Sequence, residues 1–181
     1  MITPMKPEFL RDAAMTAAIF GFFGSVWFGM AQEAPPAKWR PWLIAGSVVS
    51  ILTAIGGGLF AWRHWSDGTV FDARTGPIFG IVVAVEFVLA GAGAGILSSR
   101  GRKELVVPWI ALVVGLHFLP LAWFLHFPLL GVMGAVMSVV AVAGVPFAKS
   151  RGVATSAVVG VGSGVLLVVT GLYSLLLALT W

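Results

Sequence analysis

Cysteine is absent, tyrosine occurs once, and charge is scarce: seven acidic and eleven basic residues make up 10% of 181. Without cysteine there is no disulfide, no thiolate metal site and no catalytic thiol. Ordinary soluble domains carry about 25% charged residues. A chain that is 59% hydrophobic with so little charge cannot cover a core with a water-facing surface. Long polar stretches are missing too; the longest break in apolar sequence is 64–76, too short for a soluble domain. The formal charge of +4 would point to nucleic acid in a soluble protein. Here lysine and arginine are confined to loops and segment ends, where they set topology, and no nucleic-acid partner is expected. Nucleophile elbows, phosphate loops, metalloprotease helices and haem-attachment motifs are absent as well. The sequence names no cofactor.

What is present is apolar sequence in membrane-length runs, with a mean hydropathy of +1.01. Six runs of about 20 residues, each long enough for a hydrocarbon core of about 30 Å, fall at 13–31, 42–62, 77–97, 106–125, 129–147 and 154–180. They predict an all-α, polytopic integral membrane protein: one domain, a compact glycine-rich bundle of six helices. The first run follows the basic flank Lys6/Arg11 but is too long for a signal-peptide core. No convincing small-x-small cleavage site follows it before Pro35-Pro36, so it is expected to be a retained helix. Pro7 should open the turn before it, with Glu8 in the favourable first turn.

Sorting basic residues by side gives an orientation. Lys6, Arg11, Arg63 and Arg74 share one side, while Lys38, Arg40, Arg100, Arg102, Lys103, Lys149 and Arg151 share the other. The second group is larger, so the positive-inside rule puts both termini outside the cytoplasm, in a plasma (inner) membrane. Tryptophans fall near segment ends, as amphipathic indoles prefer: Trp39, Trp42 and Trp109 at one interface, Trp62, Trp65, Trp123 and Trp181 at the other. Trp27 lies within the first helix and reads as a packing residue.

The 23 glycines are positioned rather than scattered. Gly46, Ser50, Thr53 and Gly57 make a small-residue stripe on the second helix. Gly91, Gly93 and Gly95 lie on the third, and Gly160, Gly162 and Gly164 on the sixth. Small residues at such spacing let helix backbones approach closely where lipid gives no hydrophobic drive for association. They serve packing within the bundle, a homodimer or larger membrane complex, or a conduit wall. The echo between the third and sixth helices suggests a 3+3 inverted repeat, a plan used by transporters.

Apart from the phenol of Tyr173, two ionisable side chains sit deep in apolar runs. Glu86 on the third helix and His117 on the fourth lie at nearly equal distances in sequence on either side of Arg102, in the turn Arg100-Gly101-Arg102-Lys103. Helical rise then puts both near mid-membrane at similar depth. An ionisable group there costs about 2.5–3.5 kcal/mol on insertion scales, so it is a functional candidate. Pro120 lacks an N–H and crowds the carbonyl of Leu116, which should free that oxygen and supply a hinge. An acid, an imidazole and a free carbonyl at one depth can bind a cation or pass a proton. Two quieter readings remain: Glu86 bonded to a neighbouring helix, or a Glu86–His117 pair that only fixes register. Elsewhere His64, Asp67 and Asp72 share a polar loop without metal-ligand spacing. His126, before Pro128, reads as an interfacial residue.

The segment Pro35-Pro36-Ala37-Lys38-Trp39-Arg40-Pro41-Trp42 resembles the first loop of the tryptophan-rich sensory protein family, five-helix binders of porphyrins and sterols. That resemblance ends with the segment, since the helix number differs and the later helices lack the family's aromatic pattern. Three functions therefore stand open. One is a small transporter or channel for a cation, a proton-coupled solute or a small amphiphile, using Glu86 and His117. Another is a non-catalytic membrane scaffold or accessory subunit. The last is an intramembrane enzyme or a cofactor or lipid binder.

Overall fold

The computed structural model describes residues 7–181; Lys6 of the topology count lies outside them. Six long helices carry the chain, each apolar enough to cross a membrane, and no strand occurs among the described residues. Helix α1 is Leu10–Ala31, α2 Arg40–Arg63, α3 Thr75–Ser99, α4 Val106–Phe124, α5 Pro128–Arg151 and α6 Thr155–Leu179. Single 3-10 turns at Ala37–Trp39 and Lys103–Leu105 lead into α2 and α4.

Local chemistry explains where these helices start and stop. Pro41 and Pro128 sit at the first turns of α2 and α5, where a missing N–H costs nothing. Gly101, with φ +70°, makes the left-handed turn between α3 and α4. Glu8 lies ahead of α1 rather than in its first turn; the acid found there is Asp12. Helix α5 runs on to Arg151 instead of ending at residue 147. Ala148 is fully buried, and Lys149 and Arg151 in the last turn suit the negative end of the helix dipole. Gly152, with φ +60°, then stops it by donating its N–H back to the Ala148 and Lys149 carbonyls.

Packing follows the small residues. Helix α1 lies along α2 and α6, α4 lies along α5 and α3, and α6 also touches α2, α4 and α5. On α2, Ser50 and Thr53 are buried, Gly46 faces the Phe28 ring, and Gly57 admits the α1 backbone at Ala18. The same closeness recurs where Gly160 and Gly164 receive Ala31 and Phe28 of α1, while Gly162 faces Val140 of α5. Helix α3 is different: none of its residues is buried, and it leans chiefly on α4. A Cβ on Gly91 or Gly95 would have nothing within 4 Å.

That one-sided attachment bears on the expected 3+3 arrangement. Pairing of α1 with α2 and α6 has its counterpart in α4 with α5 and α3. The equivalence breaks at α3. Its counterpart α6 touches α4, whereas α3 stands off from α1. A groove occupies the space between them.

Candidate functional site

The groove has a volume of about 480 Å³ and is walled by α1, α3 and α4. Along α1 it is lined at Asp12, Thr16, Phe20, Phe23, Trp27 and Met30, a helical stripe that rises roughly 27 Å at 1.5 Å per residue. It therefore runs nearly the full depth of a bilayer core. Helix α3 contributes Phe79, Glu86 and Phe87, and α4 contributes Val114, His117, Phe118 and Leu121. Aromatic rings crowd its middle, where Phe20 meets Phe118 edge-on with centroids 5.4 Å apart.

Glu86 and His117 meet across this groove. Glu86 Oε2 lies 3.3 Å from His117 Nε2, and the two side chains are only 14% and 11% exposed. The other ring nitrogen, Nδ1, lies 2.6 Å from the Val114 carbonyl oxygen. A carbonyl only accepts, so Nδ1 must carry a hydrogen. That fixes the tautomer. Nε2 is then left to face the Glu86 carboxyl oxygen, and a proton placed on either the acid or the imidazole would make that contact attractive. Such an arrangement can hold one proton between an acid and an imidazole.

Helix α3 is held at this distance by a contact that residue spacing does not announce. Gly93 has no side chain, so the Trp109 indole settles against the α3 backbone, and Nε1 donates to the Leu89 carbonyl at 3.0 Å. Trp109 thus clamps α3 to α4, in addition to its expected interfacial position.

The N-terminal end of the groove is bordered by the loop between α2 and α3, through Val70 and Phe71. Asp12, buried at the start of α1, accepts from Thr69 Oγ1 and from the Val70 N–H, each at 2.7 Å. Its neighbour Arg11 donates to the Trp65 carbonyl at 2.6 Å and stacks over that indole. Within the loop His64 pairs with Asp67 at 2.7 Å, and Asp72 Oδ1 accepts from the N–H groups of Arg74 and Thr75. Those two backbone donors hold the Asp72 carboxyl below the ordinary carboxylate range. Among the described residues, no three His, Asp or Glu side chains gather as metal ligands.

Pro120 and Leu116 do not join the site. Both are exposed, and neither lines the groove; α4 stays helical through Pro120. Sequence alone misses Asp12, because an acid at a helix boundary ordinarily faces water. The spacing Glu8, Asp12, Thr16 is the signal that could reveal it, since all three line the groove.

Fold and site together define a six-helix membrane protein with an ionisable pair inside an apolar groove. Compared with known proteins, the chain matches no family model, no curated protein and no solved structure.

Proposed function

We propose that this protein is a small proton-coupled carrier for an amphiphilic solute, with the Glu86–His117 pair as the place where proton and solute compete. The observation that carries this reading is a carboxyl and an imidazole 3.3 Å apart, halfway along a bilayer-deep groove. The two halves of the groove differ in chemistry. Toward the N-terminal side, Glu8, Asp12 and Thr16 offer polar steps for a proton coming from water. Beyond the pair, Trp27, Met30, Ala90 and Ile110 leave an apolar chamber for the body of a solute. The volume lies within the range of about 300–1,000 Å³ typical of small-molecule sites. A plasma-membrane location with both termini outside belongs to the same proposal. A bare inorganic cation fits poorly, because its lost hydration shell would need several oxygen ligands in place of one carboxyl.

The test is a flux assay in proteoliposomes loaded with a pH dye and held acidic inside. An amphiphile panel spanning cationic, neutral and anionic members should include one that releases protons through the parent protein and not through Glu86→Gln. Equal proton release in both proteins, or none with any member, removes the carrier reading.

One observation favours a second reading, a membrane scaffold or accessory subunit: Gly91 and Gly95 present bare backbone on the outer side of α3. Close approach of another helix, including one from a second copy, would use that face. Gly95→Leu should then break a complex that survives Glu86→Gln. A haem or metal role for His117 has less support, since Val114 and Glu86 face both of its ring nitrogens.

A further inference from the structure

The two facing atoms of the Glu86–His117 pair also define a substrate class. With no proton between them, a carboxylate oxygen and an imidazole nitrogen stand 3.3 Å apart on two residues that line the same groove. Two acceptors cannot satisfy each other. They require a donor with at least two hydrogens and, facing a carboxylate in an apolar wall, a positive charge. We infer that the solute is a protic amine, a primary or secondary alkylammonium with an apolar body, whose N–H groups bond Glu86 Oε2 and His117 Nε2 in place of the shared proton. This rests on the carrier reading and narrows it to one chemistry.

Charge and atoms balance in the exchange. The amine arrives protonated, the pair gives up its one proton to water, and the ammonium takes its place; the charge held in the groove is the same before and after. No bond to carbon changes. Rings of Phe20, Phe118 and Phe87 beside the pair suit both an ammonium and a hydrocarbon or aryl body. Access is lateral. Ile19, Phe23 and Phe87 line the groove yet remain 39%, 40% and 62% exposed, so they form the lips of an opening between α1 and α3 that faces the acyl chains. An amphiphile already partitioned into the bilayer reaches the pair by that route.

The experiment is calorimetry on the full chain in lipid nanodiscs near neutral pH, in two buffers of different ionisation heat, which yields the protons released on binding. Three probes share one body: 4-phenylbutylammonium, its N,N,N-trimethyl analogue, and 4-phenylbutan-1-ol. The primary ammonium should bind with release of about one proton, and in Glu86→Gln that release should vanish. The trimethyl analogue has the charge but no N–H, and should bind at least about tenfold more weakly. His117→Phe should narrow the difference between the two cations without abolishing it, since Glu86 Oε2 still accepts one N–H. Loss of packing alone would not move that readout. Equal binding of both cations to the parent, or binding of the alcohol with the same proton release, overturns the amine assignment and leaves the carrier reading to the flux assay. Amine binding with proton release but no flux keeps the assignment and removes the carrier. Sodium or potassium chloride that displaces the proton where the amine does not overturns the assignment outright.

Discussion

Asp12 shows what a single buried carboxylate does in this protein. It has two oxygens, and the loop between α2 and α3 supplies a donor to each. Removing the acceptor strands Thr69 Oγ1 and the Val70 N–H beneath the loop. Hydrogen bonds to a charged group contribute about 1.5–3 kcal/mol. Asp12→Ala should therefore loosen the loop by that order without unfolding the helices, and trypsin should cut after Arg74 faster than in the parent. An unchanged cutting rate would mean that Arg11 alone holds the loop. Asp72 makes a second, pH-dependent prediction. Two backbone N–H groups bond its ionised form and lower its pKa in the folded protein. The stabilisation it gives is thus present above the ordinary carboxylate value, near pH 4, and is lost as pH falls through the lower folded value. Amide exchange at Arg74 and Thr75 should accelerate on acidification, and Asp72→Asn should show the faster rate already at neutral pH. At this scale the sequence is unevenly informative. Glu86 and His117 stand out because any ionisable group in hydrocarbon is costly. Asp12 does not, because its partners lie in a loop more than fifty residues away.

Between helices, the decisive question is what each glycine faces. A Cβ on Gly57 would lie 2.6 Å from the Ala18 backbone nitrogen, and one on Gly21 the same distance from the Ser50 carbonyl oxygen. Backbone cannot move aside as a side chain can. Gly57→Leu should separate α1 from α2 at a cost of roughly 1–3 kcal/mol or more, the usual penalty of overpacking. Gly95→Leu, facing open space, should leave the monomer as stable as the parent. Unfolding in mixed micelles, followed by helical circular dichroism, compares them; equal loss in both variants would contradict this packing. The small-residue stripes are visible in sequence as patterns, but their partners are not. Spacing of Gly91, Gly93 and Gly95 along α3 says nothing about rotation, and rotation decides that Gly93 receives an indole while the other two face outward.

For the whole molecule, six apolar runs and their order are legible because membrane length and hydropathy leave few alternatives. The gap between α1 and α3 is not, since it depends on how far one helix stands off the rest. A helix with no buried residue and one chief neighbour should be the least protected of the six. Backbone exchange in nanodiscs should therefore run fastest in α3, and Trp109→Phe, which removes the bond to Leu89, should speed it further. The absence of cysteine makes the orientation testable on an otherwise unreactive chain. Ser66→Cys lies in the loop over the groove, and Ser99→Cys lies beside the basic turn at the opposite end of α3. If the larger basic group faces the cytoplasm, a membrane-impermeant maleimide applied to intact cells should label the first and spare the second until the membrane is opened. The reverse pattern would put the polar half of the groove on the cytoplasmic side. Glu86 would then exchange its proton through the cytoplasmic side, while the direction of any net amine movement, which the proton gradient sets, would stay the same.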